Sequence, residues 1–600
     1  MAPIVQAENN SVWDFVNKHK IALAAAGALA VGAAGYIIYN ANQSDSTSSS
    51  SGSSKSSKKN KKRKNKKKAN KEKSSFPVDE QGLPNITDEY VKSLPAEQQE
   101  EISLALKEQG NVAFKDKDFE KAISFYSGAL QVKPSEVFYS NRSACYAALE
   151  DFEKVIEDTT AALKIKPDYS KCLLRRATAY EHLKKFDDAM FDLTGLTLYG
   201  GFNQDMINKT LERNLRSLSE EIVEKQEKNR VPTLPSPVYV TSFFSGFQAD
   251  AKIVAELEEK NPEQGSGNFF LLKALENLAE GTSDSYDLMD SYINQAVNAY
   301  GEIASGDENA KYAAIALEYA GALQFLKNSD SEGLLSLDKA LELSPRARTY
   351  VMKALISSDS NNFNDAFSLF ATAVEMEPEN ADIYYQRGQM YFLNNDYTNA
   401  KENFVKAKEL DENSVYAYIQ LACMEHTNGD AAESTRLFSE ARKKFPTSPE
   451  IPNYYGEILM SQNKLAEAMD EFDISYGLQK ASKTVSIGAL PLVHKAGVYA
   501  LQQDLEKSGE FFQRAIDEDY RSEEAKLGLG QIKLQQEKIE EAIALFEEAS
   551  KLCRNRESKI SATSYAEAAK MQIRVSQDPV MKKKINEMMA AYGGLPPQQM

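Results

Sequence analysis

The 600-residue chain has few of the residues that build catalytic and metal centres, with four cysteines, four histidines and one tryptophan. The cysteines form no CxxC pair and the histidines lie far apart, so the sequence predicts neither a metal site nor a disulfide framework. Phosphate-binding loops, nucleophile elbows and metal-binding helix motifs are also missing. We therefore expect no enzyme activity, no metal and no cofactor, and we interpret the cysteines as buried small apolar residues in a reducing compartment.

Acidic residues outnumber basic ones outside the N-terminus. The formal net charge is −17, but residues 1–73 carry +10, so the remainder carries −27. Such an acidic remainder repels nucleic acid, and no nucleic-acid partner is expected. The basic run at 55–73 holds twelve Lys or Arg residues and one acid. A nuclear-localisation or nucleic-acid-binding segment is one interpretation, but a solvated spacer beside anionic lipid headgroups is favoured.

A repeat of about 34 residues dominates the rest of the chain. From residue 347, small and aromatic residues recur in register through four units, at Ala366, Phe370, Ala373 and Pro378, then Ala400, Phe404 and Ala407, then Phe438, Ala441 and Pro446, and then Ala468 and Phe472. This is the tetratricopeptide signature, a helix-turn-helix unit in which small residues let paired helices approach closely. With weaker copies, it predicts an all-α tetratricopeptide-repeat superhelix of about eleven repeats, in blocks of three and eight.

An uncharged stretch near the N-terminus predicts a transmembrane helix. Residues 21–39 contain no charged residue and are long enough, at 1.5 Å per residue, to cross a hydrocarbon core of about 30 Å. A secretory signal peptide is the main alternative, because Lys18 and Lys20 precede the stretch. A secreted product would, however, carry four unpaired thiols on a scaffold typical of reducing compartments. We therefore expect the N-terminus to lie across the membrane and the C-terminal domain to lie in the cytosol.

The period and the composition divide the chain into seven segments. Residues 220–267 break the repeat, contain four prolines and a cluster of three phenylalanines, and are interpreted as a partly ordered connector. The predicted boundaries are 1–20 for the N-terminal tail, 21–39 for the anchor, 40–95 for a disordered Ser/Lys-rich linker, 96–219 for the N-terminal repeat domain, 220–267 for the connector, 268–556 for the C-terminal repeat domain, and 557–600 for capping helices and a tail.

Five hydrogen-bond donors stand at matching offsets in the first three repeats. They are Lys107, Asn111, Asn141, Lys171 and Arg175. Residues four apart share a helix face, and the repeat brings the first helices together along one groove. Lys and Arg supply positive charge while Asn supplies neutral donors, so the set suits a peptide's terminal carboxylate and a neighbouring acidic side chain.

The sequence around these donors resembles a known class of tetratricopeptide domains. The stretches LKEQGNVAFKDKDFEKAISFYSGAL, FYSNRSACY and YSKCLLRRA are similar to carboxylate-clamp domains that bind the EEVD tails of cytosolic 70- and 90-kilodalton heat-shock chaperones. The clamp pattern of Lys, Asn, Asn, Lys and Arg is met at all five positions. With the anchor, the basic linker, eleven repeats and the segments YYQRGQMYF, YIQLAC and SYAEAAK, the chain resembles the fungal 70-kilodalton import receptors of the mitochondrial outer-membrane translocase.

That resemblance implies a single-pass receptor in the mitochondrial outer membrane, with its N-terminal tail in the intermembrane space. It implies chaperone docking at the clamp, other translocase subunits as partners, and binding of mitochondrial precursors, especially carriers, in the C-terminal repeats. The oligomeric state stays open, with a homodimer as one alternative. A membrane-anchored co-chaperone and an endoplasmic-reticulum translocon adaptor remain alternative functions.

The first helices of the C-terminal repeats supply candidates for a precursor-binding groove. Positions 2, 5, 6, 9 and 12 of such helices commonly face the groove, and here they are mainly apolar with a few amides. The predicted groove residues are Tyr385, Gln389, Phe392, Ile419, Gln420, Cys423, Tyr454, Met460, Val493, Val498 and Leu501.

Overall fold

The computed structural model describes residues 76–200, 203–359 and 362–591. Over these ranges the chain forms 28 helices and no β-strand, which confirms the all-α prediction. No described helix is long and apolar enough to cross a membrane. The predicted anchor at 21–39, the tail before it and most of the linker lie outside the described residues.

The first ten helices extend from residue 88 to residue 260. They are α1 (Asp88–Ser93), α2 (Ala96–Lys115), α3 (Phe119–Val132), α4 (Glu136–Ala148), α5 (Phe152–Ile165), α6 (Ser170–His182), α7 (Phe186–Tyr199), α8 (Gln204–Glu227), α9 (Pro237–Phe244) and α10 (Ala251–Lys260). Helices α2 to α7 form three pairs of adjacent helices joined by short turns. These pairs are the first three repeats.

The remaining eighteen helices extend from residue 267 to residue 591. They are α11 (Gly267–Glu280), α12 (Ser283–Tyr300), α13 (Ala310–Leu326), α14 (Asp330–Leu343), α15 (Ala347–Asp359), α16 (Phe363–Met376), α17 (Ala381–Leu393), α18 (Tyr397–Leu410), α19 (Val415–Thr427), α20 (Ala431–Lys444), α21 (Glu450–Ser461), α22 (Leu465–Ala481), α23 (Leu490–Leu501), α24 (Leu505–Glu518), α25 (Glu523–Gln535), α26 (Ile539–Leu552), α27 (Arg556–Gln577) and α28 (Pro579–Ala591). Helices α11 to α26 form eight further pairs, so the described residues hold eleven pairs in runs of three and eight.

The turn inside each pair explains part of the sequence period. Lys117 and Glu150 each lie two residues after the end of the first helix of their pair and have positive φ angles of 62° and 60°. The next residue, Asp118 or Asp151, caps the second helix by accepting a hydrogen bond from a backbone N–H three residues ahead. A left-handed residue reverses the chain and an Asp cap satisfies a free N–H, so the turn is specified locally.

Close approach between paired helices explains the small residues of the repeat. A Cβ atom added to Gly388 would lie 2.8 Å from the ring of Phe404, and one added to Gly456 would lie 2.6 Å from the ring of Phe472. Both rings are fully buried. The glycine of the first helix therefore makes room for the aromatic ring of the second, sixteen residues later.

The described residues fall into two compact units. One unit contains residues 76–222 together with 567–591, and its core joins Leu193 and Leu196 of α7 to Met571 of α27 and Met581 of α28. Arg574 of α27 also forms ion pairs with Asp187 and Asp188. The sequence predicts that the helices after residue 557 cap the last repeat, but from residue 567 onward they cover the apolar face that α7 leaves open.

The other unit contains residues 223–566, including most of the predicted connector. The connector's aromatic rings are buried there, with the Phe243 ring 5.9 Å from that of Phe325 and the Phe244 ring 5.8 Å from that of Tyr319. Asp250, at the start of α10, forms an ion pair with Arg346 at 2.7 Å. The connector is therefore packed into the core of this unit.

Candidate functional site

The five predicted donors of the first block lie on three first helices. Lys107 and Asn111 lie on α2, Asn141 on α4, and Lys171 and Arg175 on α6. Asn141 Nδ2 donates to Asn111 Oδ1 at 3.4 Å, which joins two consecutive repeats directly. The structure therefore brings the two amides of the predicted clamp into contact.

Asn111 is held in place by a tyrosine of the paired helix. The hydroxyl of Tyr126, a buried residue of α3, donates to Asn111 Oδ1 at 2.8 Å. Burial raises the pKa of Tyr126 above its ordinary value, so the phenol stays protonated and keeps this donor at neutral pH. Since Oδ1 accepts from both Tyr126 and Asn141, the Asn111 amide has a fixed orientation.

Arg175 is anchored to the preceding repeat. Its Nη1 donates to the main-chain oxygen of Ser140 at 2.7 Å and to Ser143 Oγ at 2.9 Å. Burial lowers the pKa of Arg175, but a guanidinium keeps its proton under all physiological conditions. The site therefore retains a positive charge in a partly desolvated position, where its attraction for an anion is stronger than in water.

One acid lies beside the predicted donors. Glu108 Oε1 is 2.8 Å from Lys107 Nζ, and Asn111 Nδ2 donates to Glu108 Oε2 at 3.4 Å. The hydrogen bond from Lys107 lowers the pKa of Glu108. A peptide carboxylate that binds Lys107 must compete with this exposed glutamate.

An apolar pocket adjoins the charged end of the donor group. Its volume is about 330 Å³, and Lys171 and Arg175 lie at its polar edge. The lining residues are Ala147, Phe152, Val155, Lys171, Leu174, Arg175, Thr178 and Ala179. The arrangement can hold an apolar side chain next to a carboxylate.

Part of the predicted groove in the C-terminal block forms a second cluster. Tyr385 hydrogen-bonds to Gln389 and Gln420, and its pKa is raised by burial and further by Cys423. Tyr454 interacts electrostatically with Tyr385 and Cys423, and burial raises its pKa well above the ordinary value. The structure therefore brings together five predicted groove residues from three successive first helices.

The other six predicted groove residues pack between helices, as Tyr385, Cys423 and Tyr454 also do. The Phe392 ring meets that of Tyr397 at 5.3 Å, edge to face, and Met460 and Val498 share a buried cluster with Phe472. The remaining three follow the same pattern: Leu501 borders the Phe472 cluster, Ile419 belongs to the cluster around Phe438, and Val493 belongs to the cluster around Phe512.

Comparison with known proteins identifies the family. Residues 381–414 and 502–557 match families described as tetratricopeptide repeat. The chain is 38% identical over 543 residues to mitochondrial import receptor subunit TOM70 of Saccharomyces cerevisiae, with 86% of this chain and 87% of that protein covered. The chain belongs to the TOM70 family.

Two further comparisons agree with this assignment. Human TOM70 is 27% identical over 494 residues, which covers 79% of this chain and 80% of the human protein. The crystal structure of yeast Tom70 matches with a TM-score of 0.54 and 40% identity, over 82% of this chain and all of that chain. The resemblance to the fungal receptors is therefore confirmed.

Several residues of the predicted clamp and the predicted groove were not identified from the sequence. Tyr126, Ser140 and Ser143 orient the predicted clamp, and they lie on faces that a pattern of donors does not select. In the C-terminal block, Glu457 lies 3.5 Å from the His494 ring, whose Nδ1 is 3.1 Å from Asn453 Oδ1. The first-helix register that selects Tyr454 also places Glu457 one turn later, and this was the available signal.

Proposed function

We propose that this chain is a non-enzymatic import receptor of the mitochondrial outer membrane that works with other subunits of the translocase. The observation that supports this proposal most strongly is the 38% identity to a yeast mitochondrial import receptor subunit over 86% of the chain. Stacked tetratricopeptide repeats provide extended concave surfaces for binding other proteins, which suits a receptor.

The first block is the proposed docking site for EEVD tails of the 70- and 90-kilodalton chaperones. Asn111, Asn141 and Arg175 are held by hydrogen bonds between repeats, and Lys107 on α2 and Lys171 on α6 add positive charge. A terminal carboxylate would bind these donors while the terminal valine side chain enters the pocket beside Lys171. Each charge-assisted hydrogen bond contributes about 1.5–3 kcal/mol.

The second block is the proposed binding site for apolar targeting segments of precursors, notably carriers. Tyr385, Gln389, Gln420, Cys423 and Tyr454 form its centre. Aromatic and sulfur-containing side chains with a few amides match an apolar segment whose main chain also needs hydrogen-bond partners.

The proposed topology is a single span at 21–39, with the N-terminal tail in the intermembrane space and the repeats in the cytosol. The predicted division into repeat domains at 96–219 and 268–556 assigns chaperone docking and precursor binding to separate blocks. Homodimer formation stays a further hypothesis.

Import assays test the proposal. Mitochondria from fungal cells that lack their own receptor of this family would carry the wild type, Arg175→Ala, or a chain without residues 1–45. We expect the wild type to restore import of a carrier precursor, Arg175→Ala to restore it weakly, and the truncated chain to remain in the cytosol. Equal carrier import with and without the wild-type chain would contradict the receptor function.

A reporter fused to residues 1–45 tests the location separately. We expect the fusion to fractionate with the mitochondrial outer membrane. Fractionation with the endoplasmic reticulum would favour a translocon adaptor, whereas a mitochondrial chain that binds chaperone tails but no precursor would favour a membrane-anchored co-chaperone.

A further inference from the structure

Two buried amides in the C-terminal block have hydrogen-bonding atoms without partners. Gln389 of α17 and Gln420 of α19 are each 1% exposed. Within the described part of the chain, Gln389 Oε1 and Gln420 Nε2 have no hydrogen-bond partner. Buried polar atoms are nearly always paired in native proteins, because leaving one unpaired destabilises the folded state. These two atoms therefore point to a partner that the chain itself does not provide.

The Tyr385 hydroxyl forms hydrogen bonds with both amides. Gln389 Nε2 donates to the Tyr385 hydroxyl, and Gln420 also hydrogen-bonds to it. The phenol hydroxyl accepts a bond from Gln389 Nε2. Because Gln420 Nε2 has no partner among the described residues, the bond to Gln420 runs from the phenol to Oε1. Turning both amides together exchanges these roles and again leaves one carbonyl oxygen and one amino group. This remainder complements the main chain of one residue in an extended segment, whose N–H and C=O point to the same side.

Part of the predicted connector lies beside Tyr385, which binds both amides. The main-chain oxygen of Gly246 accepts a hydrogen bond from Gln386 Nε2 at 3.2 Å. A Cβ atom on Gly246 would lie 3.3 Å from the Tyr385 ring, so the connector touches the residue that holds both amides. Its neighbour Ser245 is exposed and interacts with Tyr416, which in turn interacts with Tyr385.

Buried side chains hold the connector in position beside Gln389 and Gln420. Phe243 and Phe244, just before Ser245, are 3% and 6% exposed in the core of the unit. Releasing them would expose two large apolar side chains to water, which opposes displacement by a ligand. A bound segment therefore lies along the connector.

We propose that Gln389 and Gln420 bind the main-chain N–H and C=O of one residue in an extended apolar precursor segment. This proposal rests on the precursor-binding function of the second block and specifies the conformation that the block selects. Main-chain groups inside a helix already bond to each other, and each helix end leaves only one kind of group free. An extended segment therefore offers both a free N–H and a free C=O on one residue. The amides bind main-chain groups of the segment, so binding does not depend on the sequence of its side chains. This suits a receptor with many different apolar cargoes.

The first test compares stability with binding in the full chain. Gln389→Met and Gln420→Met keep the side-chain volume but remove the unpaired atoms, and Gln513→Met on the exposed face of α24 is the matched control. The probe is a linear apolar peptide from a carrier precursor. We expect both variants to unfold at the same or higher temperature than the wild type and to bind the peptide about fivefold more weakly, as for one lost hydrogen bond. The control should change neither quantity.

The second test removes hydrogen bonds from the peptide. Single N-methyl groups are placed along it in turn. We expect one position to weaken binding to the wild type about fivefold and to have no further effect in whichever of Gln389→Met or Gln420→Met has lost the carbonyl acceptor. A hydrocarbon-stapled helical form of the same peptide should bind more weakly than the linear form.

The outcomes separate this inference from the proposed function. Absence of peptide binding to the wild type would overturn the cargo site and this inference together. Unchanged affinity in both Met variants, lower stability with proportionate loss of binding, or equal binding of the stapled helix would overturn only the role of the amides.

Discussion

Arg175 Nη1 donates a hydrogen bond to the main-chain oxygen of Ser140, 35 residues earlier in the chain, at 2.7 Å. The same nitrogen donates to Ser143 Oγ, so both of its hydrogens are used within the scaffold. Because the guanidinium is planar and rigid, fixing Nη1 fixes the whole group and leaves Nε and Nη2 for a ligand. One repeat therefore positions the charge that the next repeat supplies.

Replacing Arg175 should weaken binding of a chaperone tail. We expect Arg175→Ala to lose about 2 kcal/mol, some thirtyfold in affinity, because one charge-assisted interaction disappears. Arg175→Lys keeps the charge but loses the planar group, so we expect an intermediate loss. Calorimetry with a peptide ending in EEVD measures both. Arg213→Ala, which removes an exposed cation of the same unit, is the control, and equal affinity of Arg175→Ala and wild type would contradict the clamp.

The bond between Tyr126 and Asn111 gives a second prediction for this site. Tyr126→Phe removes the hydroxyl that fixes the Asn111 amide but no group that touches the ligand. We expect tail binding to weaken by about 1 kcal/mol, the usual contribution of one hydrogen bond. Tyr139→Phe removes a hydroxyl of a partly buried tyrosine on α4 and should leave the affinity unchanged. Equal effects of the two changes would mean that the orientation of Asn111 does not matter.

Alanine substitutions at two glycines of the same helix pair should change the stability in opposite directions. A Cβ on Gly456 would meet the Phe472 ring at 2.6 Å, whereas a Cβ on Gly477 would meet nothing within 4 Å. Gly456→Ala should destabilise the chain by about 1–3 kcal/mol through overpacking. Gly477→Ala, inside α22, should stabilise it by about 0.5–1 kcal/mol through helix propensity. Urea unfolding measures both, and a loss of stability in Gly477→Ala would contradict the open space seen there.

The sequence predicted the repeats because their determinants are local. Gly388 and Phe404 lie sixteen residues apart in one helix pair, so the spacing reflects their contact directly. The contact of Met581 with the first block crosses nearly the whole chain, and no period can reveal it. The burial of Phe243 against Phe325 is also non-local. The composition predicted a connector at 220–267, but only the structure shows that it packs into the core of the unit formed by residues 223–566.

The candidate sites also depend on contacts between residues that are far apart in the sequence, which a repeat period does not reveal. The five clamp donors follow from equal offsets in successive first helices, but the orientation of Arg175 depends on Ser140, in another repeat. In the C-terminal block, register selected Tyr385 together with Phe392. Phe392 lies in the last turn of α17, where it meets Tyr397 of the paired helix. Tyr385 also meets a ring of the paired helix, that of Phe404 at 6.0 Å, so helix register alone does not show which side chains remain available to a ligand.

Glu457 and His494 give a pH prediction for the second block. Burial, then repulsion from Glu524, raises the pKa of Glu457 from 4.5 to about 8, and burial lowers the pKa of His494 from 6.5 to about 4. Glu457 contributes stability that is fully present below pH 4.5 and is lost as the pH rises through about 8. His494 contributes stability that is present above pH 6.5 and is lost as the pH falls through about 4. Of these two residues, only Glu457 changes its contribution between pH 6.5 and 8.

Glu457→Gln keeps a neutral side chain at every pH and so tests this assignment. We expect the wild type to lose stability relative to the variant between pH 6.5 and 8, by at most about 1.4 kcal/mol per pH unit. Unfolding curves at both pH values give the difference, with Glu467→Gln on the exposed face of α22 as the control. A constant difference between wild type and Glu457→Gln would show that Glu457 is ionised throughout this range.

The contrast between the two sites predicts different responses to salt. The first block offers Lys107, Lys171 and Arg175 to an acidic tail, whereas the second offers Tyr385 and Tyr454 to an apolar segment. Screening shortens from about 10 Å at 0.1 M to about 3 Å at 1 M, while salt does not weaken apolar burial. Binding of an EEVD peptide should therefore fall steeply across a salt series, and binding of a linear carrier peptide should stay nearly constant.

Variants at each block make this salt comparison decisive, because they separate the two sites within one chain. Lys171→Ala should flatten the salt dependence of the EEVD peptide, since one screened charge is removed, and should leave the carrier peptide unchanged. Tyr385→Ser should weaken the carrier peptide by about 1.5–3 kcal/mol, as for one buried side chain, and should leave the EEVD peptide unchanged. If both peptides lose affinity in parallel as salt rises, or if Lys171→Ala weakens the carrier peptide, the two ligands share one charged site. In that case the first block would bind both, and the co-chaperone function would explain the chain better than a receptor with its own cargo groove.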